Sequence, residues 1–359
     1  MNKKISILFL IFFFFMIMPK DVKGALSSDG YSYSQEGTST SHSSVVSDNF
    51  FNNEELMYMM VAKSTHYTIP GLKNTNVLGS NCDSMVPQGI CASDYYVFIS
   101  AYDSDHEYNS VIYVLDWSGN LLATMVYWNN SHVGGLAFDG KYLWVCNSDV
   151  LNNGEKSDTK GSVSAISLTE IEQIINVSKT NSAKSVKIKK YAKHFNTETK
   201  ASYCTYYDGK LWVGVFDETK NSLVYSYKIN YDTVVPNLTK YEYLIAPNKT
   251  QGIAFYENSS DGNLYIIFTR SYGREEKGTS VIEVYIPVNY ENYSGIGKYI
   301  NKGGCIKTTE LPKMVEQVYI HGSYAFLIFE SGAKKYRTSV RTHNKTDCYL
   351  LLFSYRIVE

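Results

Sequence analysis

The chain has no surplus of basic charge: 34 Lys and Arg stand against 35 Asp and Glu, a formal net charge of −1. It also has no run of Lys or Arg that would neutralise a line of phosphates, so nucleic acid is not an expected partner. A CxxC pair is absent, which leaves zinc-ribbon and thioredoxin-type readings without ligands or redox centre. The nucleophile elbow GxSxG, the metalloprotease motif HExxH and the phosphate loop GxxxxGK[ST] are missing as well. After Met18 no apolar run approaches the roughly 20 residues that span a bilayer.

The one long apolar run, Ile5 to Met18, follows Lys3 and Lys4 and precedes the small-residue stretch ending at Gly24. That order predicts a secretory signal peptide over residues 1–24, hence a secreted, extracellular mature chain. Removing its four Lys and one Asp leaves a net charge of −4. Residues 25–50 are Ser/Thr-rich and nearly devoid of apolar side chains, so they read as a disordered leader. The folded domain is expected over residues 51–359. Six cysteines, at Cys82, Cys91, Cys146, Cys204, Cys305 and Cys348, permit up to three disulfides in an exported chain. Seven N-glycosylation sequons begin at Asn129, Asn176, Asn237, Asn248, Asn258, Asn292 and Asn344. The 32 tyrosines suit strands and also ligand-facing surfaces, because the ring packs while the hydroxyl bonds.

One phrase returns five times: a polar residue, an apolar run, a turn and an aromatic-rich strand. It begins at Val86, His132, Ser202, Thr250 and Val315. Aligning Gln88, Gly134, Tyr203, Gln251 and Glu316 gives steps of 46, 69, 48 and 65 residues. Four-stranded propeller repeats take about 40–50 residues, so the pattern predicts an all-β, five-bladed β-propeller. A six-bladed ring is the alternative, should a long step hide a degenerate blade. The step after Ser167 carries Ile171, Ile174 and Ile175 at helical spacing, which predicts a short helical insertion near 167–180 capped by Ser167 or Thr169. Between Tyr272 and Met314 long loops are expected. The last repeat has only three strand candidates, so residues 55–75 are predicted to supply a fourth and close the ring from both chain ends.

In such a ring the start of each inner strand and the end of each second strand converge around the axis. The first set here holds Gln88, His132, Gln251 and Glu316; the second holds Asp103, Asn147, Asp217, Arg270, Arg274 and Glu330. Polar residues repeated at positions otherwise apolar mark a candidate ligand site. Three chemistries suit them. Carboxylate pairs such as Glu316 with Glu330, or Asp103 with Asp217, are the residue type of glycoside hydrolysis, with His132 as a base or hydrogen-bond donor. Asn147, Asp217 and Glu316 are oxygen donors suited to calcium, the candidate cofactor; the alternating acids Asp103, Asp105 and Glu107 have part of a calcium-loop pattern. Arg270, Arg274 and Arg337 are bidentate donors for a carboxylate, phosphate or sulfate.

Certain phrases carry resemblances. "PQGI" from Pro87 and "QGIAF" from Gln251 are similar to inner strands of the NHL and SMP-30-like lactonase propellers, which implies a central divalent ion held by acid and amide side chains. The five-blade count is similar to that of the five-bladed furanosidases, although their inner-strand acids are replaced here by Gln88, Gly134 and Tyr203. Together "PQGI", "HVGG", "QGIAF…SYGR" and "FESGAKKYR", spanning Pro87 to Arg337, resemble secreted bacterial-type β-propeller proteins of unknown function. That resemblance implies that Arg270, Arg274, Glu330, Lys335 and Arg337 share one face. The resulting expectation is a secreted, monomeric propeller binding a small polar, anionic or glycan-like ligand on its axial top face. A hydrolase built on the axial carboxylates and His132, and a protein-interaction scaffold, are the alternatives.

Overall fold

The computed structural model describes residues 66–151, 153–180, 186–187, 193–232, 235–273, 279–292, 295–299, 304–322, 324–337 and 347–352. The signal peptide and leader expected over 1–24 and 25–50 lie outside the described residues, as do Arg274 and Asn344.

The protein is an all-β propeller. Strand β1 (His66–Thr68) precedes a first sheet of β2 (Met85–Ala92), β3 (Val97–Asp103), β4 (Val111–Leu115) and β5 (Leu121–Val126). The next comprises β6 (Val133–Phe138), β7 (Tyr142–Asn147) and β8 (Ser162–Ser167). Helix α1 (Leu168–Thr180) follows, with the Ser167 hydroxyl accepting from the Glu170 amide at 3.2 Å as its N-cap. Its buried Ile171, Ile174 and Ile175 join the core of the first sheet, which is why the helical spacing was visible in the sequence. Strand β9 (Val186–Lys187) then runs parallel to β5, and β10 (Lys193–Asn196) completes the second sheet beside β8.

The third sheet is β11 (Tyr203–Tyr207), β12 (Lys210–Gly214), β13 (Ser222–Asn230) and β14 (Asn237–Ala246); the fourth opens with β15 (Thr250–Glu257), β16 (Leu264–Ser271) and β17 (Ser280–Tyr285). The interval read as long loops contains a hairpin instead. β18 (Val288–Asn292) and β19 (Gly295–Tyr299) pair with one another, and β19 extends the third sheet in parallel beside β14. β20 (Cys305–Leu311) then finishes the fourth sheet. β21 (Val315–His321) and β22 (Tyr324–Phe329) precede the single turn α2 (Lys334–Arg337) and the last strand, β23 (Asp347–Leu352).

Four sheets therefore each hold inner strands from one run of chain, whereas the remaining sheet draws on both ends, in the order β1-β23-β22-β21. β1 pairs with β23 from His66 opposite Tyr349 to Thr68 opposite Asp347. The pairing covers an edge that β23 would otherwise expose. No sixth sheet occurs among the described residues: the long steps are spent on α1, β9, β10 and the β18–β19 hairpin. The innermost strands touch in cyclic order, β2 to β6, β6 to β11, β11 to β15, β15 to β21 and β21 back to β2.

A β-bulge recurs where the inner strand leaves its partner, and it explains the geometry at the axis. In the first sheet Gln88 and Gly89 oppose one residue of β3, in the second Gly134 and Gly135 oppose one of β7, and in the last Glu316 and Gln317 oppose one of β22. The fourth sheet bulges at Gln251, while the third is regular. A bulge inserts an unpaired residue and re-aims its side chain. The residue that follows Gln88 or Gln251 lies against the neighbouring inner strand, so close that a Cβ at Gly89 would stand 2.5 Å from the Gly134 carbonyl oxygen. One at Gly252 would stand 2.8 Å from the Gln317 Cα. Glycine there is a packing requirement.

The disulfides that six cysteines permit do not form among these thiols: Cys82, Cys91, Cys146, Cys204 and Cys305 are all free, and the first four are buried. Burial pushes the Cys82 thiol up to about 11, with the Asp103 charge adding to the rise. These side chains pack as small apolar groups.

Candidate functional site

The bulged residues meet at the top of the axis. Glu316, 5% exposed, accepts from Gln251 Nε2 at 3.1 Å through Oε1, and its carboxyl hydrogen-bonds to that of Glu330. Glu330 Oε2 in turn accepts from Gln88 Nε2 at 3.2 Å, and Gln88 Oε1 lies 2.6 Å from His132 Nε2. One hydrogen-bonded chain thus runs Gln251–Glu316–Glu330–Gln88–His132 and draws on four sheets. Tyr102 lies beside it, its ring 4.2 Å from that of His132 and its hydroxyl bonded to Tyr336 of α2.

Burial sets the charge state of this chain. Desolvation pushes the Glu316 carboxyl well above its ordinary range, and the neighbouring Glu330 charge and hydrogen bond act in the same direction. Two carboxyls in contact inside a protein hold a proton between them, because both ionised would repel with little water to screen them. Burial lowers His132 to about 4; His106 and Lys335 lower it too, against the opposing charge of Asp149. The imidazole is therefore neutral at pH 7. Tyr102 is pushed upward, first by burial, and stays a phenol.

The second set of sequence-selected residues is placed differently. Asp103 is buried and accepts from the Ser84 hydroxyl and from the amides of Asp105, Glu107 and Tyr108. Burial opposes its charge, but these donors outweigh burial and hold the carboxylate below its usual range. Asn147 accepts from the Tyr127 hydroxyl at 2.8 Å and donates to Ser164 Oγ at 2.9 Å, entirely buried. Asp217 caps an exposed turn through the amides of Thr219 and Lys220. Asn147, Asp217 and Glu316 do not assemble into one cluster, and among the described residues no three His, Cys, Asp or Glu side chains form a metal-ligating group.

The arginines are engaged as well. Arg270 Nη1 pairs with Glu283 Oε1 at 2.6 Å, while Nε and Nη2 donate to the Asn248 carbonyl and side chain at 2.8 and 2.7 Å. Arg337 donates to the carbonyl oxygens of Gly332 and Leu72. Lys335 is exposed, close enough to influence His132. Of the five residues expected on one face, Arg270, Arg274, Glu330, Lys335 and Arg337, Arg274 lies outside the described residues, Glu330 belongs to the hydrogen-bonded chain, Lys335 lies close enough to influence His132, and the other two arginines are bound to other groups.

Strand pairing explains the difference. Pro87 opposite Ala101 and Val315 opposite Phe329 are equivalent pairs, so Tyr102 is the counterpart of Glu330. Asp103 lies one residue beyond that position. Asn147 opposite Val133 and Arg270 opposite Thr250 lie one before it. One residue along a strand reverses the side chain's face. Tyr102 and Tyr336 are the site residues that sequence reading missed. Counting back from the bulge would have found Tyr102; nothing local marks Tyr336. A cavity of about 450 Å³ lies elsewhere, lined by residues that include Thr75, Tyr113, Leu122, Thr124 and Lys179 at the outer edge of the first sheet.

No family model matches the chain, and no curated protein matches it. NHL and SMP-30-like similarity therefore finds no support beyond the two short phrases. Solved structures similar in part include a nidogen/laminin complex chain, at 10% identity over 69% of this chain and 73% of that one, with a TM-score of 0.36. The Bacteroides ovatus xyloglucan PUL protein GH43B matches at 11% identity over 79% of this chain and 53% of its own, with a TM-score of 0.37. An uncharacterized protein of Listeria monocytogenes EGD-e matches at 7% identity over 69% and 79%, with a TM-score of 0.22.

Proposed function

We propose that the protein is an exported five-bladed propeller that binds a hydroxyl-rich, glycan-like ligand at its axial top face. The blade count rests on the five sheets and the closed ring of inner strands. Export rests on the basic-then-apolar start of the sequence. The ligand reading rests on one observation: amide, carboxyl and imidazole groups of Gln251, Glu316, Glu330, Gln88 and His132 form a continuous chain at the convergence of four sheets. Neutral donors and acceptors in alternation match sugar hydroxyls, each of which both donates and accepts. An uncharged ligand is favoured over an anionic one because, among the described arginines selected from the sequence, Arg270 is paired with Glu283 and Arg337 is bonded to backbone carbonyls.

The test is a thermal-unfolding screen with cello-, xylo- and manno-oligosaccharides. At least one should raise the midpoint of the parent protein. Gln251→Ala and His132→Ala should each abolish the shift while the unliganded protein remains folded. No shift across all three series sinks the reading.

A second reading has its own support. Glu316 held protonated beside Glu330 is a ready proton donor, which suits an acid-dyad hydrolase. Contact between the two carboxyls leaves no room for a glycosidic bond between them, since glycosidase pairs stand about 5–9.5 Å apart. This reading expects turnover of a hydrolysable substrate to vanish in Glu316→Gln, with binding retained.

A further inference from the structure

The cavity of about 450 Å³ at the outer edge of the first sheet is shaped by three elements. The loop after β1 contributes Gly71, Asn74 and Thr75, the strands β4 and β5 contribute Tyr113, Leu122 and Thr124, and the end of α1 contributes Lys179. Tyr113 and Thr124 stand opposite one another across the β4–β5 pairing, so their side chains project to the same face, joined by Leu122 two residues back along β5. The Tyr113 hydroxyl is bonded to Thr75 Oγ1 at 2.7 Å. Gly71, at φ +76°, approaches the same hydroxyl so closely that a Cβ there would stand 1.8 Å from it. Loop and sheet are thus locked together around the cavity.

Two polar groups in its walls are left over. Thr124 is only 9% exposed, yet its hydroxyl has no hydrogen-bond partner among the described residues. Asn74 donates through Nδ2 to the Ser80 carbonyl at 2.8 Å, which fixes the amide, and its Oδ1 is buried with no partner. Buried polar groups are ordinarily bonded, and a ligand hydroxyl, which both donates and accepts, suits both of these. Charge is one-sided as well: no Asp or Glu lines the cavity, and exposed Lys179 forms no ion pair among the described residues. Leu122 and Leu121, the latter 50% exposed, add apolar area.

We propose that this cavity binds a small amphipathic carboxylate that also carries a hydroxyl. Lys179 receives the anionic group, Thr124 and Asn74 bond the hydroxyl, and the apolar body covers Leu121 and Leu122. The volume of about 450 Å³ falls within the roughly 300–1,000 Å³ of small-molecule sites. The cavity shares no residue with the axial chain, so the inference is independent of the ligand proposed there.

The experiment titrates the full chain with 3-hydroxyoctanoate by isothermal calorimetry. Saturable one-to-one binding is expected. Octanoate, which lacks the hydroxyl, should bind about fivefold more weakly. Octane-1,3-diol, which lacks the charge, should bind about threefold more weakly. Thr124→Val keeps the side-chain shape and should weaken 3-hydroxyoctanoate about fivefold while leaving octanoate unchanged. Lys179→Gln should weaken both carboxylates about threefold and spare the diol, whereas Lys160→Gln, which removes the same charge from an exposed loop, should change none of them. An unfolding midpoint equal to the parent's confirms that each variant folds. Absence of saturable 3-hydroxyoctanoate binding overturns the proposal, as do a diol that binds as tightly as the acid, an unaffected Thr124→Val, or equal effects of Lys179→Gln and Lys160→Gln.

Discussion

Gln317 holds Leu136 by both of its backbone groups: Oε1 accepts from the Leu136 amide at 2.8 Å, and Nε2 donates to the Leu136 carbonyl at 2.6 Å. The same amide accepts from Ile90 N at 2.9 Å and donates to Cys204 O at 2.9 Å. One side chain, 1% exposed, ties the last sheet to the first three. It fills the axis where three other sheets place glycine, so the centre of the ring is a bonded plug beneath the candidate site.

Gln317→Leu removes the plug's polarity and leaves four buried backbone groups without their partner. Each unsatisfied group costs about 1–3 kcal/mol, and partial relaxation makes about 3 kcal/mol a floor for the whole change. A urea midpoint lowered at constant slope is the expected result. A variant within 0.5 kcal/mol of the parent contradicts the hub role.

Arg270→Ala tests whether that arginine belongs to the ligand site or to the fourth sheet. Its partner Glu283 is buried and also accepts from Tyr285, so losing the guanidinium strands a charge. About 3 kcal/mol of stability should go, since breaking a buried pair at one end costs in that range. Any oligosaccharide that binds the parent should bind this variant with unchanged affinity at a temperature where both are folded.

The axial chain gives stability a dome-shaped pH dependence. Folded His132 titrates at about 4, below its ordinary 6.5, so the unfolded chain binds more protons in that window and stability falls as pH drops through it. His194, lowered by burial to about 4, acts in the same direction. Glu316 is shifted upward, so the folded chain keeps a proton the unfolded chain has lost, and stability falls as pH rises above the ordinary carboxyl range. Chemical denaturation from pH 4 to 9 should show a flatter alkaline limb in Glu316→Gln and a shallower acid limb in His132→Gln. Identical curves for all three proteins would refute the assignment.

Glycan acceptance should follow the sequons' own bonding. Asn129 accepts from the amide and hydroxyl of Ser131, Asn248 is bonded to Arg270 and to the Glu218 carbonyl, and buried Asn258 donates to Asp261. Asn176 on α1 and Asn237 at the start of β14 are exposed. Expression through a eukaryotic secretory pathway with glycopeptide mapping should find occupancy at Asn176 and Asn237 and none at Asn258.

Much of the architecture was legible in the sequence because its signals are local. The five returning phrases mark the inner hairpins, Ile171, Ile174 and Ile175 mark α1, and the three-strand last repeat points to a strand from 55–75. The hairpin β18–β19 was not legible: "VNYENYSGIGKY" has the polarity of a loop, and it becomes strand by adding to the edge of β14 in another sheet. Gln88, His132, Gln251, Glu316 and Glu330 were chosen from their repeat positions, and their side chains lie in one hydrogen-bonded chain. Asp103, Asn147 and Arg270 were chosen on the same grounds and face other partners.

By itself, then, the sequence determined the repeat, the strand content and the first bulged residues, since apolar patterning and turn chemistry act over a few residues. Only the tertiary structure decided which polar side chains meet. A bulge re-aims one side chain and shifts the register by one, and that single step separates Tyr102, beside Glu330, from Asp103, folded into its own loop. The protonated state of Glu316 is likewise a property of the closed ring, because only burial against Glu330 withholds the water that would ionise it.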